Sequence, residues 1–369
     1  MKSELKNIAQ LFLKLGTFSF GGPAAHIAMM EDEIIKKRKW FSHQHFLDLI
    51  AATNLIPGPN STEMVMHCGH ERGGRKGLIV AGISFILPAV LITMAFAWFY
   101  KSYGSLPKVE VFINGIKPAV IAIMSISIYR LGSKALKSKL LGVLGGLTLI
   151  ACLFGLNEIS ALFICGFTGL ILFVFKRNRN SLFMFSPFIL MNQLSNPDLL
   201  KVFVVFLKIG ALLYGGGYVL FAFLDTELVS RGILSRADLI NAVAVGQFTP
   251  GPILSTATFI GWQIAGFWGS VLATLGIFLP SFIFVLLLNP LVPKMRKSKE
   301  ISAFLDAIGI AAVAIIAVVT IEMSRCVLVD WQSIFILLIS FVLLLKFKNL
   351  NSAFIVLFGS FAGFILSLL

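Results

Sequence analysis

Two Pro-Gly-Pro sequences decide the fold of this chain: they occur in LIPGPNST at residues 55–62 and in FTPGPILST at residues 248–256. Proline fixes φ and has no backbone N–H, so each sequence interrupts a helix. The flanking residues are strongly apolar, and a break in an apolar helix is costly in lipid because the freed backbone groups lack a water partner. Breaks at corresponding positions of two halves predict a central solute site built from unwound backbone.

The Pro-Gly-Pro sequences belong to a duplicated series of motifs. Each half has a lysine in an apolar run, then a glycine-rich break, Pro-Gly-Pro, a spaced glycine triplet and a Leu-Pro pair. The first half contains Lys14, Gly21-Gly22-Pro23, Pro57-Gly58-Pro59, the triplet Gly69/Gly74/Gly77 and Leu87-Pro88. The second half contains Lys208, Gly215-Gly216-Gly217, Pro250-Gly251-Pro252, the triplet Gly261/Gly266/Gly269 and Leu279-Pro280. We therefore predict two homologous domains, 1–178 and 198–369, joined by a linker at 179–197.

The composition is that of an integral membrane protein. Of the 369 residues, 57% are hydrophobic and 13% are charged, whereas a soluble domain carries about 25% charged residues. Each half shows six apolar segments. Their length of roughly 17–26 residues suits membrane-spanning helices rather than the short alternating strands of a membrane barrel. The predicted fold class is an all-α polytopic membrane protein with two homologous inverted repeats and broken or re-entrant helices.

The inversion is predicted from the loop charges. The net charge of +14 lies mainly in short loops between apolar segments, which is the positive-inside signal rather than a sign of nucleic-acid binding. After the fourth segment the first half is the more basic, and after the third segment the second half is. The predicted cytoplasmic loops are Arg130–Lys139, Lys176–Arg179 and Lys294–Lys299, and the predicted external loops are Tyr100–Glu110, Asn157–Ile159 and Glu322–Trp331. Inversion also requires one segment in each half not to span, and the interrupted first or second segment is the natural candidate.

The breaks supply the predicted substrate-binding groups. Glycine permits positive φ and close backbone approach, and the start of a broken helix presents N–H groups that attract anions. Neighbouring hydroxyls and amides can donate hydrogen bonds to an oxyanion. The predicted groups are Gly21, Gly22, Gly58, Gly215, Gly216 and Gly251, together with Asn54, Asn60, Ser61, Gln247 and Ser255. The competing interpretation is that glycine only permits tight packing and that proline only kinks a helix.

Lys14 and Lys208 complete the predicted substrate-binding set. A cation near the bilayer centre costs roughly 2.5–3.5 kcal/mol, so two lysines at symmetric positions are candidate anion or counter-ion contacts; the alternative is that they snorkel from near helix ends. Glu33 and Glu227 are predicted coupling residues that carry a proton, the alternative being a structural ion pair with Lys or Arg. His26 is the third predicted coupling residue because histidine titrates near neutral pH; packing is its alternative.

A metal site and an enzymatic function are both disfavoured. Glu63, His67, His70 and Glu71 have helical spacings that could ligate a metal, but the second half has no ligand set at the comparable positions. We therefore predict no metal, no cofactor and no catalytic residues. The chain contains no Walker A sequence, serine nucleophile elbow or HExxH motif, which argues against an ATP-driven pump.

At these motifs the chain resembles the chromate ion transporter family in its long, two-domain form. The resemblance rests on Phe20-Gly21-Gly22-Pro23-Ala24-Ala25-His26-Ile27, Pro57-Gly58-Pro59, the triplet Gly69/Gly74/Gly77 and Leu87-Pro88. It covers nearly the whole chain because the second half repeats the pattern, with Gly217 in place of Pro23 and no histidine at the His26 position. The resemblance implies export of chromate from the cytoplasm, with sulfate as a structural mimic, and halves of opposite orientation.

The resulting hypothesis is a secondary transporter of the bacterial inner membrane that exports chromate and sulfate-like oxyanions. Alternating access between the inverted halves would be driven by the membrane potential, with or without proton antiport. The alternative is an uptake symporter for sulfate or another oxyanion. The expected partners are the dianion and the lipid bilayer, without nucleic acid, and a homodimer is the assembly to test.

Overall fold

The computed structural model of the chain describes residues 2–19, 22–53, 55–104, 107–177, 199–214, 217, 219–288, 298–347 and 350–368. Within these ranges the regular structure is helical and contains no strand. The predicted linker at 179–197 lies outside the described residues, as do the predicted site residues Gly21, Asn54, Gly215 and Gly216. The all-α fold class predicted from composition is confirmed.

The two halves have the same order of helices. The described first half contains α1 (Lys2–Phe18), α2 (Gly22–Glu31), a π-helical segment (Asp32–Lys37), α3 (His43–Thr53), α4 (Asn60–Tyr103), α5 (Pro107–Ala135), α6 (Lys139–Leu153) and α7 (Glu158–Arg177). The described second half contains α8 (Leu199–Leu212), α9 (Val219–Leu224), a π-helical segment (Asp225–Val229), α10 (Arg236–Phe248), a 3₁₀ turn (Ile253–Ser255), α11 (Thr256–Leu288), α12 (Lys299–Val327), α13 (Trp331–Lys346) and α14 (Ser352–Leu366). The duplication seen in the sequence is thus a duplication of architecture.

The long helices α4 and α11 are each a pair of helices folded back at a glycine. In α4 the helical geometry fails at Gly73 and Gly74, and Gly74 has a φ of +60°. A Cβ on Gly69 would lie 2.5 Å from the Gly77 carbonyl oxygen, so only glycine lets the two arms approach this closely. The second half repeats the turn at Ala265-Gly266 and the close contact at Gly261 and Gly269. The repeated glycine triplet therefore builds a tight hairpin in each half.

The second interrupted segment is re-entrant. His45 at the start of α3 lies 3.3 Å (Nε2 to Oε2) from Glu71, near the end of the first arm of α4. Both ends of this segment therefore meet at one face of the bundle, and the Pro-Gly-Pro turn is the tip of the hairpin between them.

The first interrupted segment also returns to its starting face. The Arg72 guanidinium lies 5.7 Å from the Trp40 ring and 4.0 Å from the Glu4 carboxylate. These contacts bring the first turn of α1 together with the residues that follow the π-helical segment. We expected one segment that does not span, and in the first half both interrupted segments return to their starting face, because each carries its own break. Four crossings remain in this half, so the inversion described below does not follow from an odd number of crossings within it. Residues 178–198, which connect the halves, lie outside the described residues.

The halves are inverted with respect to each other. Late in α5, Gly132 lies against Val313 in the middle of α12, and Lys137 Nζ lies 2.6 Å from Asp306 Oδ1 near the start of α12. The corresponding helices α5 and α12 are therefore antiparallel, which confirms the inverted repeats predicted from loop charge. The halves also exchange partners: α5 packs against α13 and α14, and α12 packs against α6 and α7.

The predicted external loops gather at one end of the bundle. Asn241 Nδ2 donates to the Tyr100 hydroxyl at 2.6 Å. The Arg236 guanidinium lies 2.9 Å from the Glu322 carboxylate, and the Thr226 hydroxyl donates to Glu158. Five of the described helices are long and apolar enough to cross a membrane, and their outer surfaces carry exposed apolar side chains such as Leu91 and Leu287. These features support a multi-pass membrane protein.

Candidate functional site

Both Pro-Gly-Pro turns depend on a backbone conformation that favours glycine. Gly58 has a φ of +142° and Gly251 has a φ of +84°. Residues with a Cβ rarely adopt such angles. Each turn ends one half-helix and begins another inside the bundle, so backbone polar groups are freed at these two places.

Each of the two turns packs against the long helix of the opposite half. The Gly251 N–H donates to the Ser19 carbonyl oxygen at 2.8 Å, and a Cβ on Gly251 would lie 2.9 Å from the Ala89 Cβ. A Cβ on Gly58 would lie 2.7 Å from Ser281 Oγ. Ala89 and Ser281 each follow the proline inside a long helix, at Pro88 and Pro280. The breaks of the two halves therefore converge on one region, which we call the crossing site.

Several buried polar atoms at and near the crossing site have no hydrogen-bond partner within the protein. Buried polar groups in native proteins are nearly always hydrogen-bonded. Among the described residues at or near the two turns and their partners, these atoms are Ser19 Oγ, His26 Nδ1, Thr62 Oγ1, Glu63 Oε1 and Oε2, Gln247 Nε2, Ser255 Oγ and Ser281 Oγ. Such groups are costly unless a polar solute or water completes them. Most of them can donate a hydrogen bond, as binding of an oxyanion requires.

Several predicted substrate-binding residues lie at or beside the two turns. Gly58 and Gly251 form the turns, Asn60 and Ser61 begin the helix after the first turn, and Ser255 lies in the 3₁₀ turn after the second. Gln247 precedes the second turn and is buried. Gly22 begins α2. Their contact with a substrate stays a prediction.

His26, a predicted coupling residue, contacts the same region. Its Nε2 lies 3.2 Å from the Ser19 carbonyl oxygen, the same oxygen that accepts the hydrogen bond from Gly251. The imidazole also packs edge-on against the Phe85 ring at 5.6 Å. His26 is thus linked to the second turn through one shared acceptor.

The two predicted lysines pair with the two predicted glutamates. Lys14 Nζ lies 2.9 Å from Glu33 Oε1, and Lys208 Nζ lies 2.6 Å from Glu227 Oε1. Each glutamate contacts a second basic residue, since Lys37 lies 3.0 Å from Glu33 and Arg231 lies 3.0 Å from Glu227. The two glutamates therefore form ion pairs with basic residues, which is the alternative given for them in the sequence analysis. A role of these four residues in binding or coupling stays a prediction.

Both glutamates belong to π-helical segments, a feature the sequence analysis did not identify. Glu33 lies in Asp32–Lys37 and Glu227 lies in Asp225–Val229. Single π-helical turns inside helices are uncommon and occur often at functional sites. Their repetition in both halves indicates that the altered helix winding is a property of the fold.

Glu63 is the site residue that sequence reasoning missed. It is fully buried at the start of α4, and a Cβ on Gly58 would overlap with its Oε1. In the sequence, Glu63 stands out only as part of a possible metal-ligand set. In the structure, Glu71 of that set pairs with His45 instead. The signal in the sequence that could have identified Glu63 is an acidic residue just after the first Pro-Gly-Pro, where the second half has Ser255 and Thr256.

A polar cavity opens at the end of the bundle that carries the predicted external loops. Its volume is about 460 Å³. It lies between the end of α4, the start of α5 and α10, and its lining includes Lys101, Lys117, Asp238, Asn241 and Gln263. Because α10 leads directly to the second turn, this cavity lies at the outer end of the hairpin that reaches the crossing site.

Comparison with known proteins identifies relatives of both halves. The family described as "Chromate transporter" matches residues 6–170 and again residues 200–364. The chain is 29% identical to a chromate transport protein of Cupriavidus metallidurans, over 98% of this chain and 93% of that protein. It is 30% identical to a probable chromate transport protein of Synechococcus elongatus, over 98% of this chain and 95% of that protein.

A third relative is also similar over nearly the full length of the chain. A chromate transport protein of Pseudomonas aeruginosa is 27% identical over 96% of this chain and 90% of its own length. No solved structure matches the chain significantly. The similarity extends over both halves, so it includes both Pro-Gly-Pro turns of the crossing site.

Proposed function

Because the chain belongs to the chromate transporter family, we propose that it exports chromate from the cytoplasm by alternating access between its inverted halves. The observation that carries the proposal is the crossing site, where two positive-φ turns from oppositely oriented halves meet beside unpartnered buried hydroxyls. Binding sites at the interface of inverted repeats, formed by discontinuous helices, are the pattern of secondary transporters.

The crossing site has the chemistry that a tetrahedral oxyanion needs. Helix starts after each turn offer partial positive charge, and hydroxyl donors come from both halves at Thr62, Ser255 and Ser281. Hydrogen bonds to a charged acceptor are stronger than those between neutral groups. Sulfate shares the shape and charge of chromate, so we propose that the site also accepts sulfate-like oxyanions.

The membrane potential favours the proposed direction. Moving one charge through 100 mV is worth about 2.3 kcal/mol, so a dianion leaving a negative-inside cell gains about 4.6 kcal/mol per 100 mV. Export therefore needs no other source of energy, whereas uptake needs co-transported cations. The basic ends of α5 and α7 would face the cytoplasm of the bacterial inner membrane, in keeping with the positive-inside rule.

Flux into and out of proteoliposomes tests this proposal. Purified protein would be reconstituted, loaded with radiolabelled chromate, and subjected to an imposed potential of either sign. We expect efflux to accelerate when the interior is negative and to slow when unlabelled sulfate competes from the same side. Absence of protein-dependent chromate flux under both potentials would overturn the proposal.

One observation favours a second candidate, which is uptake of sulfate or another oxyanion together with protons. The buried carboxyl of Glu63 in the crossing site is a group that can carry a proton beside an anion. Uptake predicts that an inward proton gradient drives accumulation of the anion against a negative interior. A carrier that moves the dianion alone predicts no such accumulation, so the same vesicles separate proton-coupled uptake from uncoupled export.

A further inference from the structure

Glu63 lies in the centre of the crossing site without a counter-ion. Its side chain is fully buried and neither carboxyl oxygen has a hydrogen-bond partner. The Ser281 hydroxyl of the opposite half lies beside this carboxyl, next to Gly58 of the first turn. The carboxyl is therefore placed where the two halves meet.

The groups around Glu63 do not include a cation in contact with it. None of the described Lys or Arg residues forms an ion pair with Glu63. The Tyr214 hydroxyl, from the break that precedes α9, lies within electrostatic range of it. His67 is one turn further along the same arm of α4 and is also buried, and α11 contributes the neutral Ser281. A lone ionised carboxylate is costly to bury in such surroundings, so burial favours the neutral acid.

An oxyanion in the same space makes ionisation of Glu63 still less favourable. Like charges a few ångströms apart repel strongly in a water-poor interior. A protonated carboxyl, by contrast, provides an O–H donor and would add one hydrogen bond to the bound oxyanion. The anion-bound site is therefore compatible with only one protonation state of Glu63.

We propose that Glu63 is the proton-coupling residue of this transporter: it takes up one proton from the solvent when the oxyanion enters the crossing site and releases it when the oxyanion leaves. The proton adds to the ionised carboxylate that exists when the site is open to water and unliganded, and no other bond changes. This inference rests on the proposed function, because it assumes that an oxyanion binds at the crossing site.

Coupling of proton movement to anion transport is then a property of the first half alone. The second half has Ser255 and Thr256 where the first half has Glu63, and neither can carry charge. Anion and proton would occupy the site together and cross the membrane in the same direction. Each cycle would then move one net negative charge rather than two when the substrate is a dianion.

The pH dependence of oxyanion binding tests the proposal on the full-length protein. Chromate affinity would be measured at pH values where chromate is fully a dianion, with sulfate as a second probe that does not titrate there. In the wild type we expect the affinity to fall by up to about tenfold per pH unit once Glu63 ionises in the free protein. In Glu63→Gln, which is permanently neutral and keeps a donor, the affinity should not change with pH.

Two further measurements keep the test decisive. Glu71→Gln makes the same chemical change two turns along the same arm at an exposed position, and it should retain the wild-type pH dependence. Should Glu63→Gln fail to fold, proton uptake by the wild type can be followed with an indicator dye in weak buffer when sulfate or chromate is added. Uptake of protons with each anion bound supports the proposal.

The outcomes separate this inference from the proposed function. If Glu63→Gln binds with the wild-type pH dependence, or if the wild type binds anion without taking up protons across the range, the role of Glu63 is wrong while oxyanion transport stands. If the wild type neither binds nor carries any oxyanion, the proposed function itself fails.

Discussion

Lys208 Nζ lies 2.6 Å from Glu227 Oε1, and the pair joins two residues that are nineteen positions apart. Lys14 and Glu33 repeat the pair with the same separation in the first half. Each pair ties the helix before a glycine-rich break to the π-helical segment after it. Because Glu227 is only 2% exposed, removing its partner leaves a buried charge that a single remaining arginine must balance.

Both lysines should be needed for transport. We expect Lys14→Ala and Lys208→Ala each to lower chromate flux by at least about tenfold while the protein still inserts, because each change removes a cation that ties the helix before a glycine-rich break to the π-helical segment after it. Flux in proteoliposomes checks this, with Lys134→Ala at an exposed position as the matched control. Normal flux in both variants would show that the lysines only snorkel.

A double substitution distinguishes an ion pair from a direct anion contact. Lys208→Ala alone should lower the free energy of unfolding by about 1 kcal/mol, below the range for an uncompensated buried charge, because Lys208 is 35% exposed and Arg231 still pairs with Glu227. Adding Glu227→Gln should recover part of that loss, since the buried carboxylate that has lost one of its two cations is then removed. Recovery of stability without recovery of flux would assign Lys208 a role beyond the pair.

The second Pro-Gly-Pro turn should tolerate no side chain at Gly251. A Cβ there would meet both positive φ and the Ala89 Cβ at 2.9 Å, so Gly251→Ala should destabilise the protein by about 1–3 kcal/mol and abolish flux. Gly266→Ala is the matched control, because Gly266 also has positive φ (+63°) but no atom lies within 4 Å of its added Cβ. Equal loss of flux in both variants would mean that backbone strain, and not the seating of the turn, is what matters.

The contact between α5 and α14 should be intolerant of any side chain. A Cβ on Gly115 would overlap with the Gly359 carbonyl oxygen and would lie 2.7 Å from Gly363 Cα. We expect Gly115→Val to destabilise the protein by about 1–3 kcal/mol, as overpacking does, and thermal unfolding of the detergent-solubilised protein measures it. Gly146→Val places the same side chain in open space and should unfold like the wild type.

The orientation of the bundle can be read from its cysteines. Cys326 is exposed near the end of α12, at the end of the bundle predicted to be external, whereas Cys68, Cys152 and Cys165 are buried. A membrane-impermeant thiol reagent should therefore label Cys326 in intact cells. A Cys326→Ser protein carrying Ser133→Cys should be labelled only after permeabilisation, and the opposite pattern would reverse the assigned orientation.

The fold was predictable from the sequence because its determinants are local. Glycine and proline interrupt a helix wherever they occur in an apolar run, and lysine and arginine in short loops report orientation without any knowledge of packing. The prediction of a single non-spanning segment was wrong for the first half, because a break does not reveal whether the chain continues or turns back. That depends on contacts such as the one between Arg72 and Trp40.

The crossing site was predictable only in part. The turns at Gly58 and Gly251 were identified because the residue types alone require an unusual backbone. The partners of each turn were not, since Ser281 and Ala89 belong to the opposite half. Glu63 was missed for the same reason: its burial is created by a helix from the other half, and its sequence neighbours suggested a helix end with polar residues.

The exchange of helices between the halves has a consequence for biosynthesis. The ribosome delivers α14 after the other described helices, yet α14 packs against α5, which is synthesised much earlier. Until then the small-residue groove at Gly115 faces lipid or the insertion machinery without its permanent neighbour. A chain truncated before residue 352 should accordingly be inserted but recognised by quality-control proteases, because its N-terminal portion cannot mature alone.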